Sequence, residues 1–228
     1  MGQRRGKKVP ATNFVILSLP VSNSKSGTNP ALYPNVAAVL LAGGHSRRMG
    51  YDKALLCLGE QPIVQVLAMR LHELTNQVFL SANDRSAYAF LGLHTIPDIY
   101  PSRGPLAGLH AAMLHTLRPL VLVLACDLPC VSTTLLRHMI ECSAGFDIVI
   151  PVTSDGCLHP VCAVYRRTCQ QSAEHNLSVG ENRMLSLLED PRLRTRRLSS
   201  LEGAFSDADL TDLNSPEDLE KYRRLSKP

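Results

Sequence analysis

A pair of glycines followed by basic residues makes residues 41–53 the segment of this chain best suited to bind phosphate. Gly43 and Gly44 allow positive φ angles and close approach to the backbone, so that successive N–H groups can point at anionic oxygens. Arg48 and Lys53 add positive charge to the same loop. The segment lacks the Gly-Lys-Ser/Thr ending of a Walker loop. It therefore predicts a triphosphate site of another kind, although a glycine pair after a strand also occurs in simple turns.

Two acidic residues are candidates for contacts with a metal ion or a nucleotide. Asp127 follows the apolar run 120–125, and the ligands of open α/β sheets bind where strands end. Because a hard cation prefers one or two carboxylates together with phosphate oxygens, Asp127 could hold Mg²⁺ beside the glycine loop. The alternative is a turn in which Asp127 only accepts hydrogen bonds before Pro129. Asp98 follows Pro97, which by itself is ordinary turn chemistry.

Apolar residues recur at strand and helix spacings and predict the elements that position these side chains. The predicted strands cover 36–41, 78–80, 120–125 and 148–150, and the predicted helices cover 63–74, 106–117 and 133–142. Strands that alternate with helices at this spacing favour an α/β fold with parallel strands and crossover helices. The run 120–125 is continuously apolar, as expected of a central strand that is buried on both faces.

The two ends of the chain carry different signals. Residues 1–35 combine a basic start, a short apolar run and a stretch rich in Ser, Asn, Pro and Gly, so we predict a disordered basic tail before a single domain over 36–228. A signal peptide is the alternative, but Ser18 and Pro20 interrupt the apolar run and no cleavage site of small residues follows. The sequence SPED at 215–218 provides an N-cap and a first-turn proline for a last helix.

The formal net charge of +4 does not indicate a nucleic-acid partner. Of the 24 Lys and Arg residues, four lie in the segment 4–8, and the remaining 20 are balanced by 20 Asp and Glu. The arginines at Arg192, Arg194, Arg196 and Arg197 are predicted to lie along an edge strand and to form a solvated face. No segment approaches the run of about 18 apolar residues that spans a membrane. We therefore expect neither nucleic acid nor a membrane as a partner.

The seven cysteines are odd in number and include no Cys-x-x-Cys pair, so a disulfide framework is not expected. Cys157, His159 and Cys162 could serve as metal ligands. Because both cysteines lie in an apolar run typical of a strand, small buried thiols are the favoured interpretation. Together these features predict a reducing cytoplasm.

Five blocks of the sequence occur in an order that resembles the molybdenum cofactor guanylyltransferase family. The first block is LLAGGHSRRMGYDK at 40–53, which is similar to the signature of that family. The others are SRGPLAG at 102–108, ACDLP at 125–129, HPVCAVY at 159–165 and DLNSPE at 212–217. Each block is short, but five in the family's order are hard to obtain by chance. The resemblance covers residues 36–222.

The resemblance implies a Rossmann-like nucleotidyltransferase fold with a mostly parallel sheet and helices on both faces. It implies an enzyme that transfers GMP from GTP to molybdenum-bound molybdopterin, releases pyrophosphate and makes the guanine dinucleotide form of the cofactor. Mg²⁺ is the implied metal, and GTP and molybdenum-molybdopterin are the implied substrates. Transient contacts with other cofactor-synthesis proteins or with molybdoenzymes would fit such a role.

The functional positions of the family map onto matching residues of this chain. Lys53, Arg48 and Asp127 take the catalytic positions, and Asp127 is the implied Mg²⁺ ligand. The positions that bind nucleotide or line the pocket hold Leu41, Ala42, Gly43, Gly44, Asn83, Asp98, Gly104, Gly108, Arg183 and Asn214. Lys53 would contact phosphate, and Asn83 would contact the nucleoside. Asp212 stands where relatives often have Asn, which is a departure on the pterin side.

Three other functions stay open on the sequence alone. They are a cytidylyltransferase acting on molybdopterin, a sugar-nucleotide or terpenoid nucleotidyltransferase, and an inactive nucleotide-binding protein that delivers the cofactor. The sugar and terpenoid relatives commonly carry Pro before the loop lysine, whereas Asp52 precedes Lys53 here. Loss of Lys53 or Asp127 would be the expected sign of an inactive protein, and both are present. Nothing in the spacing of the residues distinguishes GTP from CTP.

Overall fold

Strands and helices alternate along the described part of the chain and form a seven-stranded sheet. The computed structural model describes residues 32–42, 52–58, 60–82, 84–213 and 218. The strands are β1 (Val36–Leu41), β2 (Cys57–Leu58), β3 (Gln61–Pro62), β4 (Val78–Ser81), β5 (His94–Ile96), β6 (Leu120–Ala125), β7 (Ile148–Val152), β8 (Cys162–Arg166) and β9 (Thr195–Ser199). The helices are α1 (Ile63–His72), α2 (Pro105–His115), α3 (Thr133–Glu141) and α4 (Gln170–Ser178). Short 3-10 helices lie at Lys53–Leu55, Ser86–Leu91, Arg167–Cys169, Met184–Glu189, Ser200–Glu202 and Asp207–Leu210.

The sheet is mostly parallel, as predicted. Its strand order is β5-β4-β1-β6-β8-β7-β9. Neighbouring strands run parallel except at β8, which is antiparallel to both β6 and β7. The strands β2 and β3 form a separate antiparallel pair. The predicted α/β fold class is therefore confirmed.

The reversal at β8 follows from the short connection that precedes it. Residues 153–161 link β7 to β8, whereas a parallel return needs a crossover of about a dozen residues or more. Gly156 turns the chain with a φ of +86°, and Oδ1 of Asp155 accepts a hydrogen bond from the N–H of Cys157 at 3.1 Å. The chain therefore returns between β6 and β7 as the second strand of a hairpin.

This turn corrects one prediction about the cysteines. Cys162 is buried in β8, as expected, but Cys157 is exposed. Cys157 belongs to the turn, because its N–H donates to Asp155 and its carbonyl accepts from the N–H of Thr153 at 3.1 Å, whereas Cys162 is the first residue of β8. The prediction of a buried thiol is confirmed for Cys162 and wrong for Cys157.

The two central strands send alternate side chains into two cores. Val36, Ala38 and Leu40 of β1 pack with residues of α1 and α3, whereas Ala37 and Val39 pack with residues of α2 and α4. All six residues of β6 are buried, and burying a large apolar side chain stabilises a protein by about 1.5–3 kcal/mol. Burial on both faces is why the run 120–125 is continuously apolar, and the prediction of a central strand is confirmed.

The predicted elements match the structure with small differences at the helix ends. The helix α1 ends at His72 rather than at residue 74. The helix α2 ends at His115 rather than at residue 117, because Thr116 has extended backbone angles (φ −125°, ψ 148°). The strand β9 lies at the edge of the sheet, as predicted, but it contains only Arg196 and Arg197, because Arg192 and Arg194 lie before the strand begins at Thr195.

Two predictions about the ends of the chain fall largely outside the described residues. They concern the basic tail, of which residues 1–31 are not described, and the last helix from residue 215, of which only Asp218 is described. Among the helices that are described, none is long and apolar enough to cross a membrane.

Candidate active site

The parallel strands β4, β1 and β6 end side by side at one edge of the sheet, here called the carboxyl edge. Leu41 at the end of β1 is in register with Ser81 of β4 and with Ala125 of β6. Just beyond the strands, the N–H of Ala42 donates to the carbonyl of Ser81 at 2.9 Å, and the N–H of Cys126 donates to the carbonyl of Leu41 at 3.1 Å. In open α/β sheets, ligands bind at this edge.

One corner of the carboxyl edge, here called the Asp98 corner, consists of Leu41, Ser81, Asp98 and Gly108. The hydroxyl of Ser81 donates a hydrogen bond to Oδ1 of Asp98 at 3.2 Å. Burial raises the pKa of the Asp98 carboxyl, and the hydrogen bond from Ser81 opposes that effect. The structure thereby brings together Leu41, Asp98 and Gly108, which the sequence assigned to one pocket.

Gly108 allows α2 to pack closely on the ends of β1 and β4. A Cβ atom at this position would lie 2.7 Å from Cδ2 of Leu41 and 2.9 Å from Oγ of Ser81. Both distances are well inside the separation of about 3.5–4.0 Å at which non-bonded atoms attract. A side chain at position 108 would therefore displace two residues of the Asp98 corner.

We expect Gly108→Ala to lower the free energy of unfolding. Overpacking a closely packed site costs about 1–3 kcal/mol, which is more than the gain of about 1 kcal/mol from the higher helix propensity of alanine. Urea unfolding of the wild type and the variant measures the difference. A variant more stable than the wild type would show that Leu41 and Ser81 can make room, and would contradict the packing role of Gly108.

The helix α2 begins at the same edge without a side-chain cap. Gly104 precedes it with a φ of +69°, and Pro105 is its first residue. Ser102, two residues earlier, also has a positive φ, of 61°. The start of α2 is the positive end of its helix dipole and favours a bound anion, although Pro105 has no N–H and the N–H of Ala107 donates to the carbonyl of Gly104 at 3.1 Å. Gly104 therefore precedes α2 at the carboxyl edge, and its role in the pocket stays a prediction.

Asp127 lies two residues beyond the end of β6. Its Oδ1 is buried and forms no hydrogen bond with the described residues. Burial raises the pKa of the Asp127 carboxyl and Asp212 raises it further, whereas Lys53 and His159 lower it. Buried carboxylate oxygens are normally paired, so an unpaired one is suited to hold a cation. This arrangement fits the metal-binding interpretation better than the simple turn at Pro129.

A cation at Asp127 would need further ligands from outside this part of the chain. Within residues 32–42, 52–58, 60–82, 84–213 and 218, no group of three or more His, Cys, Asp or Glu side chains is arranged to hold a metal ion. Phosphate oxygens of a bound nucleotide could complete the coordination, as is usual for Mg²⁺.

A chain of hydrogen bonds connects Lys53 to Asp127 through Leu213. The ammonium group of Lys53 donates to the carbonyl of Leu213 at 2.9 Å. The N–H of Leu213 donates in turn to the carbonyl of Asp127 at 2.7 Å. The structure therefore brings together two of the three predicted catalytic residues.

His159 faces Asp127 and is a candidate that the sequence treated only as a possible metal ligand with two cysteines. The strands β6 and β8 pair antiparallel, and the N–H of Ala125 donates to the carbonyl of Val161 at 2.9 Å. His159 lies in the turn that leads into β8, where the carbonyl of His159 accepts from the N–H of Cys162 at 3.0 Å, and its electrostatic effect on the Asp127 carboxyl, whose pKa it lowers, indicates that the two side chains are close. His159 is buried, and its Nε2 forms no hydrogen bond with any residue in the described ranges. The position of His159 near Asp127 depends on the turn before β8, which apolar spacing does not predict.

Cys126 lies next to Asp127 but is not suited to react. It is buried at the end of β6, and burial raises the pKa of its thiol well above the usual value. A neutral thiol is a poor nucleophile. The interpretation of Cys126 as a packed thiol agrees with these surroundings.

Arg183 is exposed, and acidic neighbours bind its guanidinium. Nη2 lies 2.9 Å from Oε2 of Glu181, and Nη1 lies 3.6 Å from Oε1 of Glu189. The loop before it approaches the segment that precedes α2, because a Cβ atom on Gly180 would lie 3.6 Å from Nη1 of Arg103. These contacts do not join Arg183 to Asp127, so its place in the pocket stays a prediction.

Five predicted site residues lie outside the described ranges, and their roles stay predictions. They are Gly43, Gly44, Arg48, Asn83 and Asn214. Ala42, next to Gly43, follows β1, and Ala82, next to Asn83, follows β4. Leu213, next to Asn214, donates its N–H to the carbonyl of Asp127. The flanking residues therefore all reach the carboxyl edge.

The chain is similar in sequence to known proteins of one kind. The sequence model of the family described as MobA-like NTP transferase domain matches residues 38–196. A protein of Pelotomaculum thermopropionicum named probable molybdenum cofactor guanylyltransferase is 34% identical over 195 residues, which cover 83% of this chain and 92% of that protein.

Solved structures of other proteins share the fold. Molybdopterin-guanine dinucleotide biosynthesis protein A from Archaeoglobus fulgidus superposes with a TM-score of 0.70 and 24% identity, covering 83% of this chain and 97% of that one. The Rv0371C complex with manganese from Mycobacterium tuberculosis superposes with a TM-score of 0.60 and 16% identity, covering 83% and 98%. These similarities confirm the predicted Rossmann-like nucleotidyltransferase fold.

Proposed function

This chain belongs to the molybdenum cofactor guanylyltransferase family of MobA-like NTP transferases, and on that premise we propose that it transfers GMP from GTP to molybdenum-bound molybdopterin. A phosphate oxygen of the pterin forms a bond with the α-phosphorus of GTP. The bond from that phosphorus to the oxygen of the leaving pyrophosphate breaks. The two substrates are inferred from the names of its relatives, and the mechanism of nucleotidyl transfer is inferred from the residues of the site.

The observation that carries the proposal is the buried Oδ1 of Asp127, which has no hydrogen-bond partner among the described residues and lies beside Lys53 at the carboxyl edge. Phosphoryl-type transfer requires no covalent bond to the protein. It depends on the positioning of the two substrates and on the neutralisation of the negative charge of the phosphates. One carboxylate and one ammonium group, held together through Leu213, provide the means for both.

The metal in this proposal is a divalent cation, and we propose Mg²⁺. When bound, it would stabilise negative charge on the transferring phosphorus and on the departing pyrophosphate. Asp127 would hold it through the oxygen that has no described protein partner. Lys53 would contact phosphate, and Arg48 would add positive charge from the glycine loop.

The Asp98 corner would hold the nucleoside part of GTP in this proposal. Leu41, Ala42 and Gly43 would offer backbone groups, and Asn83 would contact the nucleoside. Asp98, held by Ser81, would bind the nucleotide as well. The remaining pocket positions would be lined by Gly44, Gly104, Gly108, Arg183 and Asn214. The close packing at Gly108 keeps the ends of β1 and β4 against α2.

Two further predictions belong to the same proposal. A single domain over 36–228 would carry the activity, with a tail before it; the described end of the predicted tail segment 1–35 already joins the domain, because the N–H of Tyr33 donates to the carbonyl of Leu74 at 2.7 Å and the carbonyl of Asn35 accepts from the N–H of Leu120 at 3.2 Å. The seven cysteines are all free thiols, which supports the prediction that the protein works in a reducing compartment such as the cytoplasm. GTP and molybdenum-molybdopterin are its proposed substrates, and contacts with other cofactor-synthesis proteins or molybdoenzymes stay a prediction.

Thermal unfolding with nucleotide and Mg²⁺ tests the choice of substrate. At 100 times its Kd, GTP should stabilise the protein by about 2.7 kcal/mol, while CTP, ATP and UTP at the same concentration should have little effect. A shift with CTP alone would replace the proposal by a cytidylyltransferase. The absence of a shift with any nucleotide would contradict GTP binding by the free enzyme and favour an inactive delivery protein.

A further inference from the structure

The side chain of Tyr88 reaches both ends of the glycine loop. Tyr88 lies in the 3-10 helix Ser86–Leu91 that follows β4, and only 3% of its surface is exposed. Its hydroxyl donates to the carbonyl of Ala42 at 3.1 Å and also to Oδ2 of Asp52. Ala42 is the last described residue before the segment 43–51, and Asp52 is the first described residue after it. One hydroxyl therefore joins the two flanks of this segment.

The hydroxyl of Tyr88 stays a donor in these surroundings. Burial raises its pKa, and the neighbouring carboxylate of Asp52 raises it further. The proton is therefore retained and can be shared between the carboxylate and the carbonyl in a three-centre hydrogen bond. A hydrogen bond to a charged group is stronger than one between neutral groups, so this contact restrains the carboxylate of Asp52.

The position of the Asp52 carboxylate determines where the helix that carries Lys53 begins. While Oδ2 accepts from Tyr88, Oδ1 of the same carboxylate accepts from the N–H of Ala54 at 3.0 Å. The N–H of Leu55 donates to the backbone carbonyl of Asp52 at 3.2 Å. Asp52 thereby caps the 3-10 helix that carries Lys53. Any movement of the carboxylate would move the start of this helix.

We propose that Tyr88 is a positioning residue that holds Ala42 and Lys53 at a fixed separation, so that the backbone and the ammonium group meet the same triphosphate. It does not touch the reacting atoms and acts through Asp52 and Ala42. The nucleotide part of this inference rests on the proposed function, whereas the positioning part concerns the free protein and can be tested without a ligand.

Tyr88→Phe removes the hydroxyl and keeps the ring. Amide hydrogen exchange in the absence of nucleotide should become about fivefold faster or more at Ala54 and Leu55, because a loss of about 1 kcal/mol in local stability has that effect. Tyr165→Phe is the matched control, since Tyr165 is also buried and its hydroxyl donates to Pro160 at 2.7 Å in another part of the fold. Unchanged exchange in Tyr88→Phe would overturn the positioning role.

Asp52→Asn provides a second test that leaves the aromatic core untouched. Asparagine keeps the oxygen that accepts from Ala54 and places an amide nitrogen against the hydroxyl of Tyr88. This nitrogen cannot accept, so the charged hydrogen bond is lost and at most a weaker neutral one, donated to the hydroxyl oxygen, replaces it. We expect the same rise in exchange at Ala54 and Leu55, and little further change when Tyr88→Phe is added. Additive changes in the double variant would show that Tyr88 and Asp52 act separately, and would contradict the proposal.

The enzymatic readout separates this inference from the proposed function. Tyr88→Phe should lower kcat/KM for GTP by about tenfold at a melting temperature similar to that of Tyr165→Phe, and the control should keep the wild-type value. Equal activity of the two variants would overturn the link between Tyr88 and the nucleotide. If the wild type itself turned over no GTP, the proposed function would fail, while the exchange experiment would still decide whether Tyr88 positions Lys53.

Discussion

Asp127→Asn is expected to lower the Mg²⁺-dependent rate of pyrophosphate release by about 10²–10³-fold, while the melting temperature stays the same or rises. The variant keeps the size of the side chain and removes the charge that would hold the cation. Burial raises the pKa of the Asp127 carboxyl, which means that the folded protein disfavours its charged form. A neutral amide removes that penalty. Activity and stability should therefore change in opposite directions, as happens when a residue is kept for function.

Turnover with GTP and molybdopterin over a series of Mg²⁺ concentrations measures the first effect, and thermal unfolding measures the second. Glu73→Gln is the matched control, because Glu73 is exposed after α1 at the opposite edge of the sheet. It removes one negative charge and should leave the rate and its metal dependence unchanged. A wild-type rate in Asp127→Asn would contradict the metal-binding role, as would a fall in melting temperature large enough to explain the lost rate.

The order of the central elements was readable from the sequence because burial imposes a pattern. The run 120–125 is apolar at every position since β6 has a core on each face. Parallel strands then place their carboxyl ends at one edge, which is why Leu41 and Asp127 could be expected near each other. The reversal at β8 could not be read in the same way, because it depends on a tight turn at Gly156 rather than on apolar spacing.

The detailed geometry of the site could not be predicted from the sequence, because it depends on contacts between residues that are far apart in the chain. Lys53 and Leu213 are far apart in the chain, and a single hydrogen bond between a side chain and a carbonyl joins them. Tyr88 resembles any other buried aromatic residue until its hydroxyl is seen between Ala42 and Asp52. His159 comes close to Asp127 through the turn that leads into β8. The site residues at strand ends could be predicted from the sequence, whereas the hydrogen bonds that connect the loops became visible only in the structure.

Lys53→Met is expected to lower kcat/KM for GTP by about 10²-fold, because removal of one preorganised positive group from a charged transition state has an effect of that size. Methionine keeps an unbranched side chain but has no donor and no charge. The variant therefore also loses the hydrogen bond of 2.9 Å to the carbonyl of Leu213. Lys53→Arg should recover only part of the rate, since the guanidinium keeps the charge and can donate to a carbonyl but is larger and planar and so cannot reproduce the position of the ammonium group.

Steady-state kinetics with GTP and molybdopterin measure both variants, and Arg137→Met is the control. Arg137 lies on α3 with its guanidinium 5.8 Å from the ring centre of Tyr33, so its removal takes away one positive charge far from the carboxyl edge and should leave kcat/KM unchanged. Combining Lys53→Met with Asp127→Asn should cost less than the product of the two single losses, because Leu213 joins both residues and both act on the same phosphates. Losses that multiply fully would show two independent sites and would contradict a shared triphosphate. The size of the deviation then measures how far Lys53 and Asp127 work as one unit.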